Sequence, residues 1–475
     1  MSEITTVPDS LDGQPPGARH LRGNLGVASI VFMVVAAAAP LGVIGGVVPL
    51  GIASGNGAGF PATFIVSTVV LLLFAVGFTA MTPHVEEAGA FFSYVRQALG
   101  FPVGIGIAFV ALVSYVALEA GVYGLLGPAG VGVVELVGGP SSPWWLFAAL
   151  AFAVTTYLGY RNIELSSRVL GILLTAEIAI VLVLDLVIVV HGGGVHGLSS
   201  GIVNPTAIFS GSLGIGLLFA IISYVGFEAT AIFRDEARDP ERTIPRATYV
   251  ALVLIGVFYA VTSWALISGW GDDDAIARAT GSGSTFLGDT AQRYLGAVGA
   301  DIITVLYLTS LFACILAFHN VASRYVFALS QRDVLPPALS RPHGRHGSPH
   351  RASLWISAVV ALSVLLAVMF GLDPAAQFYT WFAGATTVGV VVLMIATSVA
   401  VLVYFSRDRR GYSLWRVRIA PALGLAGLSG ALVLILANLS DLVGGSSVLA
   451  WAIVGVLVGA FAAGVAIGTR VGHAS

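Results

Sequence analysis

The 475-residue sequence contains no lysine, so all 22 of its basic residues are arginine. Its one cysteine, Cys314, lies inside an apolar run, which excludes a disulfide framework. Charged residues make up only 10% of the chain, whereas a soluble globular domain carries about 25%. Because no basic stripe and no zinc-ligand spacing is present, nothing in the sequence supports nucleic-acid binding.

Apolar residues dominate the composition instead. They make up 57% of the chain, and the mean hydropathy is +0.94. In water, a protein of this composition would expose large apolar patches, which are rare on soluble monomers. We therefore expect a lipid bilayer around it and an all-α membrane protein, because helices satisfy their own backbone hydrogen bonds in lipid.

Twelve apolar stretches are long enough to cross a bilayer as helices, which takes about 20 residues each. They lie within 25–469 and follow a polar head, residues 1–24, that is expected to be a disordered cytoplasmic tail. The predicted spans are 26–52, 60–82, 102–126, 143–160, 167–191, 206–233, 247–269, 297–328, 353–371, 376–404, 419–438 and 447–469.

The arginines are distributed unevenly between the two sides of these predicted spans. If residues 1–24 are cytoplasmic, only Arg278 and Arg293 fall outside, which leaves 20 of the 22 arginines on the cytoplasmic side. Positive charge is enriched in the cytoplasmic loops of membrane proteins. The pattern predicts a multi-pass protein of the cell (inner) membrane, with the N-terminus and the C-terminal residues 470–475 in the cytoplasm.

The first predicted span is interrupted by residues that disfavour helices. In the run AAAAPLGVIGGVVPLG, Pro40 and Pro49 flank Gly45 and Gly46. Proline costs about 3 kcal/mol inside a helix and glycine about 1 kcal/mol, so the sequence predicts unwinding near the two glycines. Unwound backbone within a membrane is tolerated where it is buried in protein or lines a cavity.

The sixth predicted span carries a carboxylate beyond its middle, in the run SYVGFEATAIF. A charge at this depth is expensive, so Glu228 is a functional candidate. The earlier glycines of this span, Gly211, Gly214 and Gly216, are expected to permit close helix packing.

The two unusual spans occupy equivalent places if the chain contains two inverted repeats, at about 26–191 and 206–404. Helices 11 and 12, at about 419–469, would follow them. Broken helices that meet near the midplane are typical of secondary transporters built in this way. Exposed helix amides would bind a carboxylate, while carbonyl groups and Glu228 would bind an ammonium group. An amino acid has both groups, which favours an amino acid transporter.

Several motifs resemble those of the amino acid-polyamine-organocation superfamily of permeases, and the resemblance covers nearly the whole chain. The most specific motif is SYVGFEATAIFRDEARDPERTIPRA at 223–247. The others are Pro-Leu-Gly and Gly-Gly-Val-Val-Pro in the first span, GNGAGFPATF at the start of the second, HVEEAGAFFSYVRQALG at 84–100 and SRYVFALSQRDVLP at 323–336.

The resemblance implies a LeuT-like fold of five plus five helices with two more at the C-terminus, and alternating access around a central substrate site. It implies that the backbone amides of Ile44, Gly45 and Gly46 bind the substrate carboxylate. Phe227 resembles an aromatic gate, Phe318 a second gate, and Glu228 an acidic position implicated in proton coupling in some relatives. The residues implied on the amine side are Ser223, Tyr224, Val225 and Gly226.

The fifth predicted span departs from a pattern known in the superfamily. Several proton-coupled relatives carry a lysine there, but this chain has Glu177 at about that place. A carboxylate can bind a proton or a cation, so both H⁺ and Na⁺ stay open as the coupling ion. No other cofactor is expected.

Four further polar positions lie within predicted spans. Glu119 is expected to face the protein interior, either as a contact or proton site for transport or as a structural acid. His319 is more easily explained by helix packing. Asp185, like Asp301, is predicted near the outer surface and is expected to be hydrated.

Other function classes find less support. A polyamine or organic-amine carrier of the same fold is the nearest alternative, and Glu119 would then contact the cationic substrate. A non-transporting receptor is less favoured, and so is an enzyme, which would need a constellation of nucleophile and base. The histidines of the RPHGRHGSPH loop, His343, His346 and His350, are not expected to bind a metal. The oligomeric state is not indicated by the sequence.

Overall fold

The computed structural model describes residues 25–85, 91–161, 167–233, 237–343 and 348–472. Over these ranges the chain is helical and forms no strand, which confirms the predicted all-α class. The predicted N-terminal tail, His346 and the last three residues lie outside the described residues, as do parts of the motifs at 84–100 and 223–247.

Ten helices in the described part of the chain are long and apolar enough to cross a membrane. They are Val27–Ser54, Gly57–His84, Phe101–Leu136, Val169–Val190, Pro240–Trp270, Phe286–Ser330, His350–Met369, Pro374–Arg407, Trp415–Ala437 and Ser447–Gly472. The two other predicted spans, the fourth and the sixth, are the helix Trp144–Arg161 and an interrupted helix whose longer part is Leu213–Ile222.

Kinks and short turns divide the chain into nineteen α-helices within the described ranges, together with π and 3-10 turns. The helices are α1 Val27–Ala37, α2 Pro40–Gly42, α3 Val48–Ser54, α4 Phe60–Met81, α5 Phe91–Leu99, α6 Phe101–Leu136, α7 Trp144–Arg161, α8 Ser167–Val190, α9 Pro205–Ile208, α10 Leu213–Ile222, α11 Ala229–Ile232, α12 Pro240–Trp270, α13 Asp272–Ser282, α14 Phe286–Ser330, α15 His350–Met369, α16 Thr380–Arg407, α17 Ala420–Ala437, α18 Leu439–Leu442 and α19 Ser447–Gly472.

The long helix α6 lies at the centre of the bundle. It packs against α14, α16 and α19. Helix α4 packs against both α12 and α17. Large apolar side chains also cover the outside of the bundle, among them Leu150, Ile172 and Trp451. These outward side chains suit a lipid environment, in which an apolar exterior carries no penalty.

Small residues let the helices approach closely, as the sequence predicts for the sixth span. A Cβ atom on Gly216 would lie 2.5 Å from Oδ1 of Asn56, and one on Gly214 would overlap the carbonyl oxygen of Leu434. At Gly211 the backbone φ is +55°, and a Cβ would overlap the carbonyl oxygen of Gly55. The packing interpretation is confirmed for Gly214 and Gly216 in α10, whereas Gly211 lies in the turn before α10 and packs against Gly55 there.

The helix α14 is bent where the predicted eighth span begins. Gly296 has φ 72° and ψ −174°, which are not helical values. Residues 286–295 therefore form a separate segment before the long helix that reaches Ser330. A glycine tolerates this positive φ without the steric cost that a side chain would bring.

Candidate functional site

The first span is interrupted at Ala38 and Ala39, where α1 ends and α2 begins. Ala39 has a left-handed φ of 47°, and Pro40 follows it as the first residue of α2. Proline lacks an N–H and disfavours the α conformation in the residue before it, which explains why the helix breaks here. The expected unwinding near Gly45 and Gly46 is therefore wrong, because both glycines lie in the π turn Val43–Val47.

The amides that this break leaves free are bound by side chains of two other helices. The Leu41 N–H donates to Oε2 of Glu177 on α8 (3.4 Å), and the Gly42 N–H donates to Oγ of Ser310 on α14 (3.3 Å). The Ser310 hydroxyl in turn donates to Glu177 Oε2 at 2.8 Å. A carboxylate and a hydroxyl thus cap the N-terminus of the second half of the span, where the helix dipole favours negative charge.

The sixth span is interrupted between α10 and α11, over residues 223–228. Backbone amides in this stretch bond to carbonyl groups three residues earlier, as in the bond from Val225 N to Ile222 O. Gly226 has φ +109°, a conformation that requires glycine. Its N–H donates to Oε2 of Glu228 at 2.9 Å, and the Tyr115 hydroxyl on α6 donates to Oε1 at 2.7 Å. The intramembrane carboxylate is thus buried and held by two donors.

A small cavity of about 40 Å³ lies between the two interruptions. None of the described residues that line it carries a charge, and most are aliphatic. The lining is Ala37, Ala38, Ala39, Gly42, Val43, Val47, Leu118, Val122, Leu125, Ile222, Ser223, Val225, Leu311, Cys314, Phe318 and Tyr379. Two interrupted helices that meet at one cavity form the arrangement expected of a transport site.

The family model for amino acid permeases matches residues 29–472. The chain belongs to the amino acid permease family. The family is one of transporters rather than enzymes and falls within the amino acid-polyamine-organocation superfamily, which confirms the resemblance noted from the sequence motifs.

Several curated relatives share low identity with the permease over most of their length. The branched-chain amino acid permease BcaP of Bacillus subtilis (strain 168) is 23% identical over 407 residues, 82% of each chain. The protein of the same name from Lactococcus lactis subsp. cremoris is 21% identical over 394 residues, 78% of this chain and 81% of the relative. The low-affinity putrescine importer PlaP of Escherichia coli K12 is 24% identical over 359 residues, 73% and 75% of the two chains.

Three of the predicted site residues line the central cavity of the permease, namely Ser223, Val225 and Phe318. The Ser223 hydroxyl donates to the Phe219 carbonyl at 2.9 Å. Cys314 and Tyr379 also line the cavity, although no sequence motif marks either as a site residue. A single hydroxyl or thiol in an apolar helix does not indicate a binding site, because such residues are common in membrane helices.

Tyr224 and Phe227 point toward α4 instead of the cavity. The Tyr224 hydroxyl lies 2.7 Å from Oγ1 of Thr68 and donates to the Phe64 carbonyl at 3.0 Å. The Phe227 ring packs edge-on against Phe74, with 6.0 Å between ring centres. A gating role for Phe227 stays a prediction, and it would require the ring to leave this aromatic packing.

Ile44, Gly45 and Gly46 are separated from the cavity as well. Ile44 is fully buried, and the two glycines are covered by side chains. A Cβ on Gly45 would lie 2.8 Å from Cε2 of Tyr307, and one on Gly46 would lie 2.5 Å from Cδ1 of Leu125. Tyr307 and Leu125 therefore close this stretch of backbone in the conformation described.

A larger vestibule of about 630 Å³ lies on the other side of Tyr307, at the end of the molecule predicted to face outward. Gly45 and Tyr307 form part of its wall. Its charged lining residues within the described chain are acidic, and all three are solvent-exposed: Glu135, Asp289 and Asp301. The vestibule thus presents negative charge in front of the closed stretch at Gly45 and Gly46.

Glu119 and His319, which the sequence did not connect, bond to each other. His319 Nδ1 lies 2.8 Å from Oε1 of Glu119, and Nε2 lies 2.9 Å from Oγ of Ser353 on α15. Both members of the Glu119–His319 pair are only 1% exposed. Both ring nitrogens of His319 therefore have partners, and the residue links α14 to α6 and α15.

Asp185 is buried, so its expected hydration is wrong. It accepts a hydrogen bond from the Thr262 hydroxyl at 2.7 Å, because α8 and α12 pack against each other at this level. Asp301 is exposed, as predicted.

In the described part of the loop after α14, His343 packs on Tyr160 and His350. The described residues contain no group of three or more His, Cys, Asp or Glu side chains suited to a metal.

Proposed function

We propose that the permease is a secondary active transporter that moves amino acids across the cytoplasmic membrane by alternating access. The single observation that carries this proposal is the meeting of two interrupted helices at one cavity. The interruptions lie in the first and the sixth predicted spans. They support a fold of twelve membrane helices with two inverted repeats, at about 26–191 and 206–404, and two additional helices. The arginine pattern supports cytoplasmic termini.

The substrate class that matches the lining of the cavity best is an amino acid with an aliphatic side chain, although the cavity of about 40 Å³ must widen before such a molecule enters. The walls contributed by α6, α10 and α14 are apolar, with Leu118, Val122, Ile222 and Leu311 among them. A second ammonium group would find no charged partner among the described lining residues, and an uncompensated buried charge is costly. The name of the Bacillus subtilis relative, a branched-chain amino acid permease, agrees with this class.

The proposed binding of the substrate carboxylate by Ile44, Gly45 and Gly46 requires a conformational change. Tyr307 and Leu125 cover this backbone, so both side chains would move before a ligand could reach it. The proposed amine contacts are Ser223, Tyr224, Val225 and Gly226. Their stretch forms the interruption between α10 and α11, where backbone amides bond to carbonyl groups three residues earlier instead of four.

The proposed coupling residues are the three buried carboxylates Glu119, Glu177 and Glu228. Glu177 links α8 to the break in the first span and to α14, so a change in its charge would act directly on that break. Glu177 lies at about the place where some relatives carry a lysine. Its carboxylate would bind either the coupling proton or a coupling cation. Glu228 accepts from the Gly226 N–H in the second interruption, so a change in the charge of Glu228 would act on that interruption.

Transport of a polyamine or another organic amine is the second candidate. The acidic vestibule favours it, because three exposed carboxylates attract cations. The name of one relative, a putrescine importer, is consistent with it. The uncharged central cavity argues against a dication as the main substrate.

Uptake into proteoliposomes tests both candidates. We expect saturable uptake of radiolabelled leucine, isoleucine or valine, with much weaker uptake of putrescine. Glu228→Gln and Gly46→Leu should abolish uptake, while Gly430→Leu, which places the same side chain at an exposed position of α17 with no atom within 4 Å, should retain it. Full uptake by both site variants would refute the site assignment. Putrescine uptake without amino acid uptake would establish the second candidate instead.

A further inference from the structure

Glu119, His319 and Ser353 form a buried hydrogen-bonded chain that joins α6, α14 and α15. The imidazole lies in its middle, with Nδ1 on the carboxylate and Nε2 on the hydroxyl. A fourth helix closes the site, because a Cβ added to Gly159 of α7 would lie 2.6 Å from His319 Nε2. The imidazole is thus fixed on all sides and shielded from solvent.

The chain lies directly behind the wall of the central cavity. Glu119 is flanked on α6 by Leu118 and Val122, which line the cavity, and His319 follows Phe318, which does so on α14. About one helix diameter, roughly 10 Å, separates a charge in such a position from a ligand on the other side of the wall.

The hydrogen bonds fit two charge states of the chain without movement of any heavy atom. A hydroxyl both donates and accepts, so Ser353 can donate to a neutral Nε2 or accept from a protonated one. Nδ1–H donates to the Glu119 carboxylate in either state. With the imidazole protonated the chain is neutral overall, and with the imidazole neutral it carries one negative charge.

We propose that Glu119, His319 and Ser353 form a proton-binding site that controls the affinity of the central cavity for the amino group of its ligand. Loss of the proton leaves a negative charge behind the cavity wall, which attracts the substrate ammonium. Proton and substrate therefore oppose each other: affinity rises as the pH rises, and substrate binding releases a proton, because the linkage is reciprocal. This inference rests on the proposed amino acid transport.

The expected size of the effect follows from Coulomb's law. One unit charge at roughly 10 Å and an effective dielectric constant of about 20 changes the affinity for a cation on the order of tenfold. The carboxylate of an amino acid, about 3 Å farther away, is repelled by the same charge, which reduces the effect on the zwitterion to about twofold. Two titratable groups interact electrostatically with Glu119, namely Tyr123 on α6 and Cys314 on α14. Glu177 on α8 meets α14 nine residues before His319. The surrounding elements also carry, among other titratable groups, Tyr115 on α6, Tyr160 on α7, Arg324 and Tyr325 on α14, His350 on α15 and Tyr379 in the turn before α16.

Nuclear magnetic resonance of the detergent-solubilised permease tests the proton site without any ligand. In protein labelled with ¹⁵N-histidine, one of the nine histidine signals should disappear in His319→Gln. That signal should show protonation of both ring nitrogens at low pH and loss of one proton as the pH rises, and Glu119→Gln should move the transition to lower pH. A His319 signal that stays unchanged between pH 5 and pH 9 would overturn the proposal even if transport is confirmed.

Calorimetry tests the link to the ligand. Leucine binding to the wild-type permease, measured in buffers of different ionisation enthalpy, should release protons, and the Kd should fall about twofold over the transition. The double variant Glu119→Gln/His319→Gln keeps hydrogen-bonding groups but no titratable one, so it should lose this part of the proton release while still binding leucine. Unchanged proton release in the double variant would overturn the proposal. If leucine and the other amino acids bind to neither protein, the proposed function fails, whereas the resonance experiment still decides the proton site.

Discussion

The hydroxyl of Tyr115 on α6 donates a 2.7 Å hydrogen bond to Glu228, the carboxylate next to the interruption of the sixth span. Glu228 also accepts from the Gly226 N–H, so one side chain ties the interrupted stretch to itself and to α6. A buried acceptor that loses a donor costs about 1–3 kcal/mol. The bond therefore holds the interrupted segment in the conformation described.

Tyr115→Phe removes this donor and leaves the aromatic packing in place. We expect a loss of about 1–3 kcal/mol in the free energy of unfolding and a several-fold lower uptake rate, because the carboxylate keeps only its bond from Gly226. Thermal unfolding in detergent and initial rates in proteoliposomes measure the two effects. Tyr157→Phe, at an exposed position of α7, is the matched control and should change neither. Equal behaviour of the two variants would show that the Tyr115 bond has no role.

Ser310→Ala tests the cap on the first interruption. The Ser310 hydroxyl accepts from Gly42 N–H and donates to Glu177, so its loss leaves one buried amide without a partner and one carboxylate bond unmade. We expect destabilisation of about 1–3 kcal/mol, together with an altered dependence of uptake on the proton or sodium gradient. Uptake with each gradient imposed separately identifies the ion concerned.

A suitable control for Ser310→Ala is Ser363→Ala on α15, because that hydroxyl bonds only to the Val359 carbonyl of its own helix. It should leave stability and ion dependence nearly unchanged. If Ser310→Ala retained the wild-type ion dependence, the role of Glu177 in coupling would be refuted.

The helix content of the structure could be predicted from the sequence because it depends on composition and apolar run length. The break in the first span could also be predicted, but its place could not. The low helix propensity of Gly45 and Gly46 predicted unwinding at the glycine pair. The helix instead breaks at Ala39, because Pro40 disfavours the α conformation in the residue before it. A π turn absorbs the glycines without unwinding.

The candidate site was predictable where one residue is unusual by itself or where a family motif marks it, as for Ser223 and Val225. Glu228 and Glu177 are exceptional inside apolar runs, so the sequence identifies them. Their partners, such as Tyr115 and Ser310, are ordinary in membrane helices and become significant through contacts distant in sequence. The bond between Glu119 and His319 joins positions 200 residues apart, which no local pattern indicates.

Gly159→Ala tests how tightly α7 holds the imidazole of His319. The added methyl group would lie 2.6 Å from two ring atoms, so the histidine must move and its bond to Ser353 must weaken. Overpacking of this kind costs about 1–3 kcal/mol, which thermal unfolding would detect. Gly171→Ala on α8 is the control, since its nearest contact is 3.5 Å from the added atom. A stability equal to that of the control would show that the site around His319 is loose.

Cys314 reports directly on access to the central cavity, because it is the sole cysteine of the chain and lines that cavity. Tyr307 lies in the wall of the vestibule and packs on the glycines of the first span, so a membrane-impermeant maleimide added from the vestibule side should label wild-type Cys314 slowly. Tyr307→Ala removes the ring and should raise the labelling rate at least several-fold, while Tyr307→Phe should stay close to wild type. Leucine should protect the cysteine in each protein, and Cys314→Ser gives the background. Equally fast labelling of the wild type and Tyr307→Ala would mean that Tyr307 does not control access, since the thiol would already be open to the vestibule.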